Sequence, residues 1–316
     1  MQHLLLIGAA TERMQQRLAE HFQLHKLSEI DDLSGFLTEY GARISAVATN
    51  GHSGVKPLIM DACPNLKVIS CHGVGYDGID TATCVARGIL VSHTPNVLNA
   101  EVANTALMLI LAAYRNLLGN DAYVRSGRWL RDGAAPLSHS PDNRTVGILG
   151  MGRIGQEIAE RLQVLNSSII YHSRSPKDVP YTYYDNLTDM AQAADVLVCI
   201  TPGGPSTSKL INREVLNALG PDGMLINVSR GTVVDEAELV SALQEKRLGY
   251  AGLDVFEDEP RVPEALFAMP NVVLLPHVGS ATHETRAAMA ALTVDNLIQF
   301  LQDGSVLTPV PECTAI

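Results

Sequence analysis

What this 316-residue chain has little of narrows its function before any motif is read. Positive charge is in deficit. Lys and Arg number 23 against 34 Asp and Glu, a formal net charge of −11, so no nucleic acid and no anionic membrane surface is expected as a bulk partner. Cysteine is scarce too. The five, at 63, 71, 84, 199 and 313, are odd in number, scattered and never spaced C-x-x-C, so neither a disulfide framework nor a metal site is expected. Cys199, inside the apolar run DVLVCI, reads as a small core residue. No apolar stretch is long enough to span a bilayer. The opening MQHLLLIGAA has no basic segment before its short apolar run and reads as a first strand, not a signal peptide. A cytoplasmic location is expected.

What is present is regular. The length allows two domains, each with its own core, and 46% hydrophobic with 18% charged residues is ordinary for a globular enzyme. Strand-like apolar runs at 3–7, 44–48, 67–71, 145–150, 168–172, 195–200, 223–228, 250–254 and 272–275 alternate with helical segments. That alternation predicts an α/β fold with parallel sheets. Two long helices are expected, over 99–118 and 282–302; the first is apolar on nearly every face in its second half, as at a domain or subunit interface. A polar arm follows it and carries the chain's one Trp, Trp129. The cofactor domain is placed at 99–286, and a discontinuous second domain at 1–98 plus 287–316.

TVGILGMGRIGQEIAERL, residues 145–162, combines a β-branched strand, three glycines and a helical apolar spacing. Gly150, Gly152 and Gly155 fit G-x-G-x-x-G: a tight turn, close approach of a pyrophosphate, and close helix–strand packing, with the phosphates on the helix N-terminus. One residue is then missing. The next strand should end in an acidic group that holds the ribose of NAD, yet the chain reads IIYHSRSPK. Ser173, Arg174 and Ser175 stand there, with Lys177 close by. A guanidinium between two hydroxyls suits the extra phosphate of NADP, so NADP is expected, with NAD as the weaker alternative.

Three later strands each end in a reactive group: Arg230 in INVSRGTVVDE, Asp254 and Glu259 in GLDVFEDEP, and His277 in LLPHVGSAT. In an open α/β sheet ligands bind beyond the carboxyl ends of the strands, which brings these groups to one crevice.

Together with CHGVGYDGID and TPNVLNAEVAN, these segments resemble, in order and over nearly the whole chain, the D-isomer-specific 2-hydroxyacid dehydrogenases. Within that family the sequence is most similar to NADPH-dependent glyoxylate/hydroxypyruvate reductases. The resemblance implies two Rossmann-like domains, the discontinuous one flavodoxin-like, and hydride reduction of a small 2-keto acid to the D-2-hydroxy acid. It implies that Arg230 binds the substrate carboxylate and that His277 donates the proton, paired with Glu259 rather than with Glu257 or Asp258. The backbone at Val74 and Gly75 would hold the carboxylate. Gly150, Met151, Gly152, Arg153, Ile154, Gly155, Thr201, Pro202, Val228, Ser229, Asp254, His277 and Gly279 would line the cofactor, Asp254 at the nicotinamide carboxamide. His72 is assigned to packing or the substrate edge. Asn96 and Asn104 stand where many relatives carry Asp.

A homodimer through helix 99–118 and the arm around Trp129 is also implied. Two other readings stand beside this one. A bulkier keto acid such as phenylpyruvate is the first, since pocket size is not legible; a corepressor-like nucleotide-sensing protein is the second. Formate dehydrogenases pair the His with Gln, which Glu259 argues against, and phosphoglycerate dehydrogenases commonly carry a further C-terminal domain.

Overall fold

The computed structural model describes residues 1–314, which divide into two compact units. The first comprises Met1–Leu98 and the chain from Thr282 onward; the second is Asn99–Ala281. The return crossing thus falls at 281/282, five residues before the expected 286/287. The reason is local. Thr282 caps the last long helix by accepting the Thr285 N–H, and that helix packs within the first unit along its length.

The first unit is a five-stranded parallel sheet of β1 (Gln2–Leu6), β2 (Phe22–Lys26), β3 (Ile44–Asn50), β4 (Val68–His72) and β5 (Leu90–Ser92), in the order β2-β1-β3-β4-β5. The helices α1 (Glu12–His21), α2 (Leu33–Tyr40), α3 (Pro57–Ala62) and α4 (Thr81–Ala86) connect these strands.

The second unit opens with α5 (Asn99–Tyr114), α6 (Leu117–Arg125) and α7 (Arg128–Asp132). Its sheet contains β6 (Thr145–Leu149), β7 (Ser168–His172), β8 (Thr182–Tyr184), β9 (Val196–Cys199), β10 (Met224–Asn227), β11 (Tyr250–Leu253) and β12 (Val272–Leu274). All seven are parallel, in the order β12-β11-β10-β9-β6-β7-β8. The crossover helices are α8 (Arg153–Leu162), α9 (Leu187–Ala193), α10 (Arg213–Leu219) and α11 (Glu236–Gln244); α12 (His283–Asp303) returns to the first unit. The fold is therefore α/β with two parallel, Rossmann-like sheets, as the alternating pattern predicts. The sheet order reverses between β6 and β9, which places a crevice beyond their carboxyl ends.

Three strands escape the sequence pattern: β2, β5 and β8. All three are sheet edges. β2 and β8 are largely half-exposed, and β5 and β8 have three residues each. Such strands carry neither a long apolar run nor a clean alternation.

Helix 99–118 is a second correction. It is not continuous. Asn116 adopts a left-handed conformation (φ 47°), and α6 leaves α5 at 59°. Asn tolerates that conformation better than other side chains, so the chain can turn there. α5 is a core helix of its own unit: nine of its residues, Leu109 and Ile110 among them, are buried. It runs so close to β11 that a Cβ at Gly252 would meet Leu109 Cβ at 3.0 Å. No single helix among the described residues is long and apolar enough to cross a membrane.

Candidate active site

The glycine turn after β6 divides its work among three residues. Gly150 has φ +108°, and a Cβ there would press on the Ile200–Thr201 peptide at 3.0 Å. Gly155 lies against the Gly150 carbonyl oxygen, leaving no room for a side chain. Gly152 is different: a Cβ there would meet nothing within 4 Å. It is exposed and begins α8 without any side-chain cap. Nothing in the fold requires Gly152, so its missing side chain leaves space for a ligand. The uncapped N–H groups of α8 behind it suit an anion. The residues therefore fit a dinucleotide pyrophosphate. Met151 is buried, Ile154 half-buried, and Arg153 exposed.

Beyond β7 the chain forms a tied loop. Ser173 Oγ donates to Ser175 O at 2.7 Å, Tyr183 OH donates to Ser173 O at 3.2 Å, and Lys177 N donates to Tyr171 OH at 2.8 Å. The two tyrosines were not singled out in the sequence, yet they hold this loop. Arg174 and Ser175 are exposed at its end. Arg174 makes no hydrogen bond or ion pair among the described residues. No carboxylate stands between Ser173 and Lys177, where the strand ends, so this turn fits a 2′-phosphate better than a bare ribose. The Ser173 proton is already committed, which leaves Arg174 and Ser175 as its donors.

After β9, Thr201 is half-buried and Pro202 exposed. Cys199 is fully buried and burial pushes its thiol up to about 11, as suits a core residue. After β10, Asn227 organises the turn. Its Oδ1 accepts from Ser229 N and Ser229 Oγ at 3.1 and 2.8 Å, and its Nδ2 donates to Arg230 O at 3.0 Å. Val228 and Ser229 are buried beneath. Arg230 Nη1 donates to Ser229 O at 2.8 Å, anchoring the guanidinium. The next residue, Gly231, lies flush on the Phe256–Glu257 peptide, where a Cβ would collide with backbone. Only glycine brings the Arg230 turn this close to the loop that carries Glu259.

In that loop the three neighbouring carboxylates separate. Asp258 pairs with Arg261 at 2.7 and 2.9 Å. Glu257 is exposed, and its N–H donates to Glu236 at 3.1 Å. Glu259 accepts the Phe256 N–H on Oε1 at 3.1 Å and meets His277 Nδ1 through Oε2 at 2.7 Å. A carboxylate can only accept, so Nδ1 carries a proton and Nε2 is left for chemistry.

Asp254 has a role that the sequence did not reveal. Its Oδ1 accepts Val278 N at 2.7 Å and its Oδ2 accepts Gly279 N at 2.8 Å, while its own carbonyl accepts His277 N at 2.8 Å. At 2% exposure, burial pushes its carboxyl up, and the two N–H groups oppose this. His277 sits in a left-handed conformation (φ 54°) that this clamp holds in place.

Asn104 Oδ1 accepts Arg161 Nε at 2.8 Å. Asn96 has φ 70°, which Asn tolerates. In the first unit Val74 and Gly75 are half-buried in the loop after β4, and His72 at the end of that strand is pushed down to about 4 by burial and by Arg286.

Comparison with known proteins gives the family. Residues 107–279 match the NAD-binding domain of the D-isomer specific 2-hydroxyacid dehydrogenases. The chain belongs to this family. It is an enzyme of the NAD(P)-dependent 2-hydroxyacid dehydrogenase class. It is 45% identical to hydroxyphenylpyruvate reductase of Plectranthus scutellarioides, over 97% of this chain and 98% of that one. It is 44% identical to glyoxylate/hydroxypyruvate reductase A of Arabidopsis thaliana with the same coverage. Among solved structures, NADPH-dependent glyoxylate/hydroxypyruvate reductase from Sinorhizobium meliloti in complex with NADP and malonate superimposes with a TM-score of 0.92. The two are 46% identical, and the match covers 99% of this chain and 97% of that one.

Proposed function

We propose that this protein reduces a small 2-keto acid, glyoxylate or hydroxypyruvate, to the D-2-hydroxy acid with NADPH. The observation that carries the reading is the His277–Glu259 pair, which presents Nε2 as proton donor on the loop after β12. Bound NADPH would supply the hydride. It would be held by Gly150, Met151, Gly152, Arg153, Ile154 and Gly155, by Ser173, Arg174 and Ser175, and by Thr201, Pro202, Val228, Ser229 and Gly279.

Arg230 pairs with the substrate carboxylate and polarises the keto oxygen, a task suited to a planar fork of donors. In the first unit, the N–H groups at Val74 and Gly75 are the candidates for binding a carboxylate. His277 Nε2 gives its proton to the keto oxygen as the alkoxide develops, and Glu259 orients the ring by accepting from Nδ1. Asp254 keeps the imidazole in place and borders the nicotinamide. Microscopic reversal makes neutral His277 the base for oxidation of the hydroxy acid.

A bulkier keto acid is the second reading, favoured by the likeness to the Plectranthus hydroxyphenylpyruvate reductase. NADPH consumption with glyoxylate, hydroxypyruvate, phenylpyruvate and hydroxyphenylpyruvate decides between them. The reading expects the highest kcat/KM on the two small acids, with D-configured product where a stereocentre forms. Preference for the aromatic acids selects the second reading, and no turnover on any of the four removes both.

The working unit would be a homodimer in the cytoplasm. Leu117, Leu118, Val124, Trp129, Leu130 and Leu137 are all more than half exposed within one short stretch, and an apolar surface of this kind calls for a partner. Light scattering is expected to give twice the 34.0 kDa chain mass; the monomer mass would rule the dimer out.

A further inference from the structure

In the loop after β4 the backbone groups divide unequally. The N–H groups of Val74 and Gly75 donate to nothing among the described residues, whereas both carbonyls are held. Gly75 O accepts from Cys71 Sγ at 3.6 Å, and Val74 O meets His93 Nδ1 at 2.9 Å. A carbonyl only accepts, so Nδ1 carries the proton of that bond.

His93 is itself fixed from both sides. Its N–H donates to Thr308 O at 3.1 Å, and its carbonyl accepts Thr308 Oγ at 2.6 Å. The residue is 6% exposed, and its ring meets Tyr76 edge-on at 5.4 Å. Thr308 lies on a segment antiparallel to β5, where Pro309 bridges Ser92 and Val310 N donates to Val91 O. Further along, Glu312 accepts the Tyr76 hydroxyl at 3.1 Å. The C-terminal segment therefore braces the loop after β4 at two places.

A trans peptide is a rigid plate on which the carbonyl of one residue and the N–H of the next point in opposite directions. Holding Val74 O therefore aims Gly75 N–H. We propose that His93 is a positioning residue for substrate binding: its Nδ1–H bond to Val74 O directs the Gly75 N–H at the carboxylate, and Thr308 keeps the imidazole in register. The inference rests on the reading of this loop as a carboxylate site. A peptide fixed before the ligand arrives spares binding the cost of ordering it, and a hydrogen-bonded carbonyl makes its own amide a better donor.

Two substitutions test this. His93→Leu removes the donor, and His93→Asn returns an amide nitrogen close to the place of Nδ1. The readouts are KM and kcat for hydroxypyruvate, the inhibition constant of malonate as a carboxylate that cannot be reduced, and Kd for NADPH. His93→Leu is expected to raise both KM and the malonate constant about tenfold, the worth of one aimed hydrogen bond, with a smaller change in kcat and none in NADPH affinity. His93→Asn is expected to recover most of that loss. Unchanged constants in His93→Leu overturn the proposal, as does an Asn variant as impaired as Leu. Should the Leu variant not fold, Thr308→Val removes the hydroxyl that holds His93 O and Asn296 and should raise KM in the same direction; no rise overturns the proposal. If the unaltered protein reduces no keto acid, the functional reading fails by itself, and malonate binding still decides the role of His93.

Discussion

His277 meets Glu259 through Nδ1 at 2.7 Å, which commits one ring nitrogen and leaves Nε2 to exchange a proton with substrate. Replacing the imidazole therefore removes proton transfer and spares the glycine turn that receives the cofactor. His277→Ala is expected to lower kcat by about 10²–10⁴-fold, the usual worth of a positioned acid–base group. NADPH affinity, read by fluorescence titration, should change little. A variant that keeps its kcat would take His277 out of the mechanism.

Gly152 and Gly155 stand three residues apart and predict opposite phenotypes. A methyl at 152 meets open space, so Gly152→Ala should melt close to the parent protein while its KM for NADPH rises at least about tenfold from one blocked contact. A methyl at 155 meets the Gly150 carbonyl, so Gly155→Ala should lose stability first, by roughly 1–3 kcal/mol for an overpacked site. Thermal melts paired with cofactor titration separate the two. The same phenotype in both variants would mean that the division of work between these glycines is wrong.

His72 makes stability depend on pH. Burial, reinforced by Arg286, lowers its folded value from 6.5 to about 4. Between those values the unfolded chain binds a proton that the folded protein does not, so stability falls as pH drops through that window. The full swing from this group is roughly 3 kcal/mol. His72→Gln should shrink the difference between melts at about pH 7 and about pH 4.5. An equal difference in parent and variant would contradict the assignment.

Much of this site was legible in the sequence because its parts are short strings at the ends of apolar runs. Gly150 to Gly155, Arg230, Glu259 and His277 each follow a strand, and a parallel sheet gathers such ends by construction. The illegible parts are contacts between distant segments. Nothing local to Asp254 says that it clamps the N–H groups of Val278 and Gly279, 24 and 25 residues later. Nothing local to Gly231 says that it lies on the Phe256 carbonyl, and nothing local to Tyr183 that it holds Ser173. The edge strands β2, β5 and β8 were missed for a related reason: with one neighbour instead of two, they need little apolar sequence of their own. The break at Asn116 was hidden because Leu117 and Leu118 continue the apolar run of α5, and helical periodicity cannot register one left-handed residue.

Cofactor choice in this reductase is expected to be set where IIYHSRSPK lacks a carboxylate. Steady-state kinetics on glyoxylate with NADPH and with NADH, in the parent protein and in Arg174→Ala, test it most directly. In the parent, kcat/KM is expected to be at least about tenfold higher with NADPH, from a charge-assisted pair with the 2′-phosphate. In Arg174→Ala most of that preference should vanish through KM for NADPH, with NADH little affected. Equal use of the two cofactors by the parent, or the same loss for both in the variant, would contradict it.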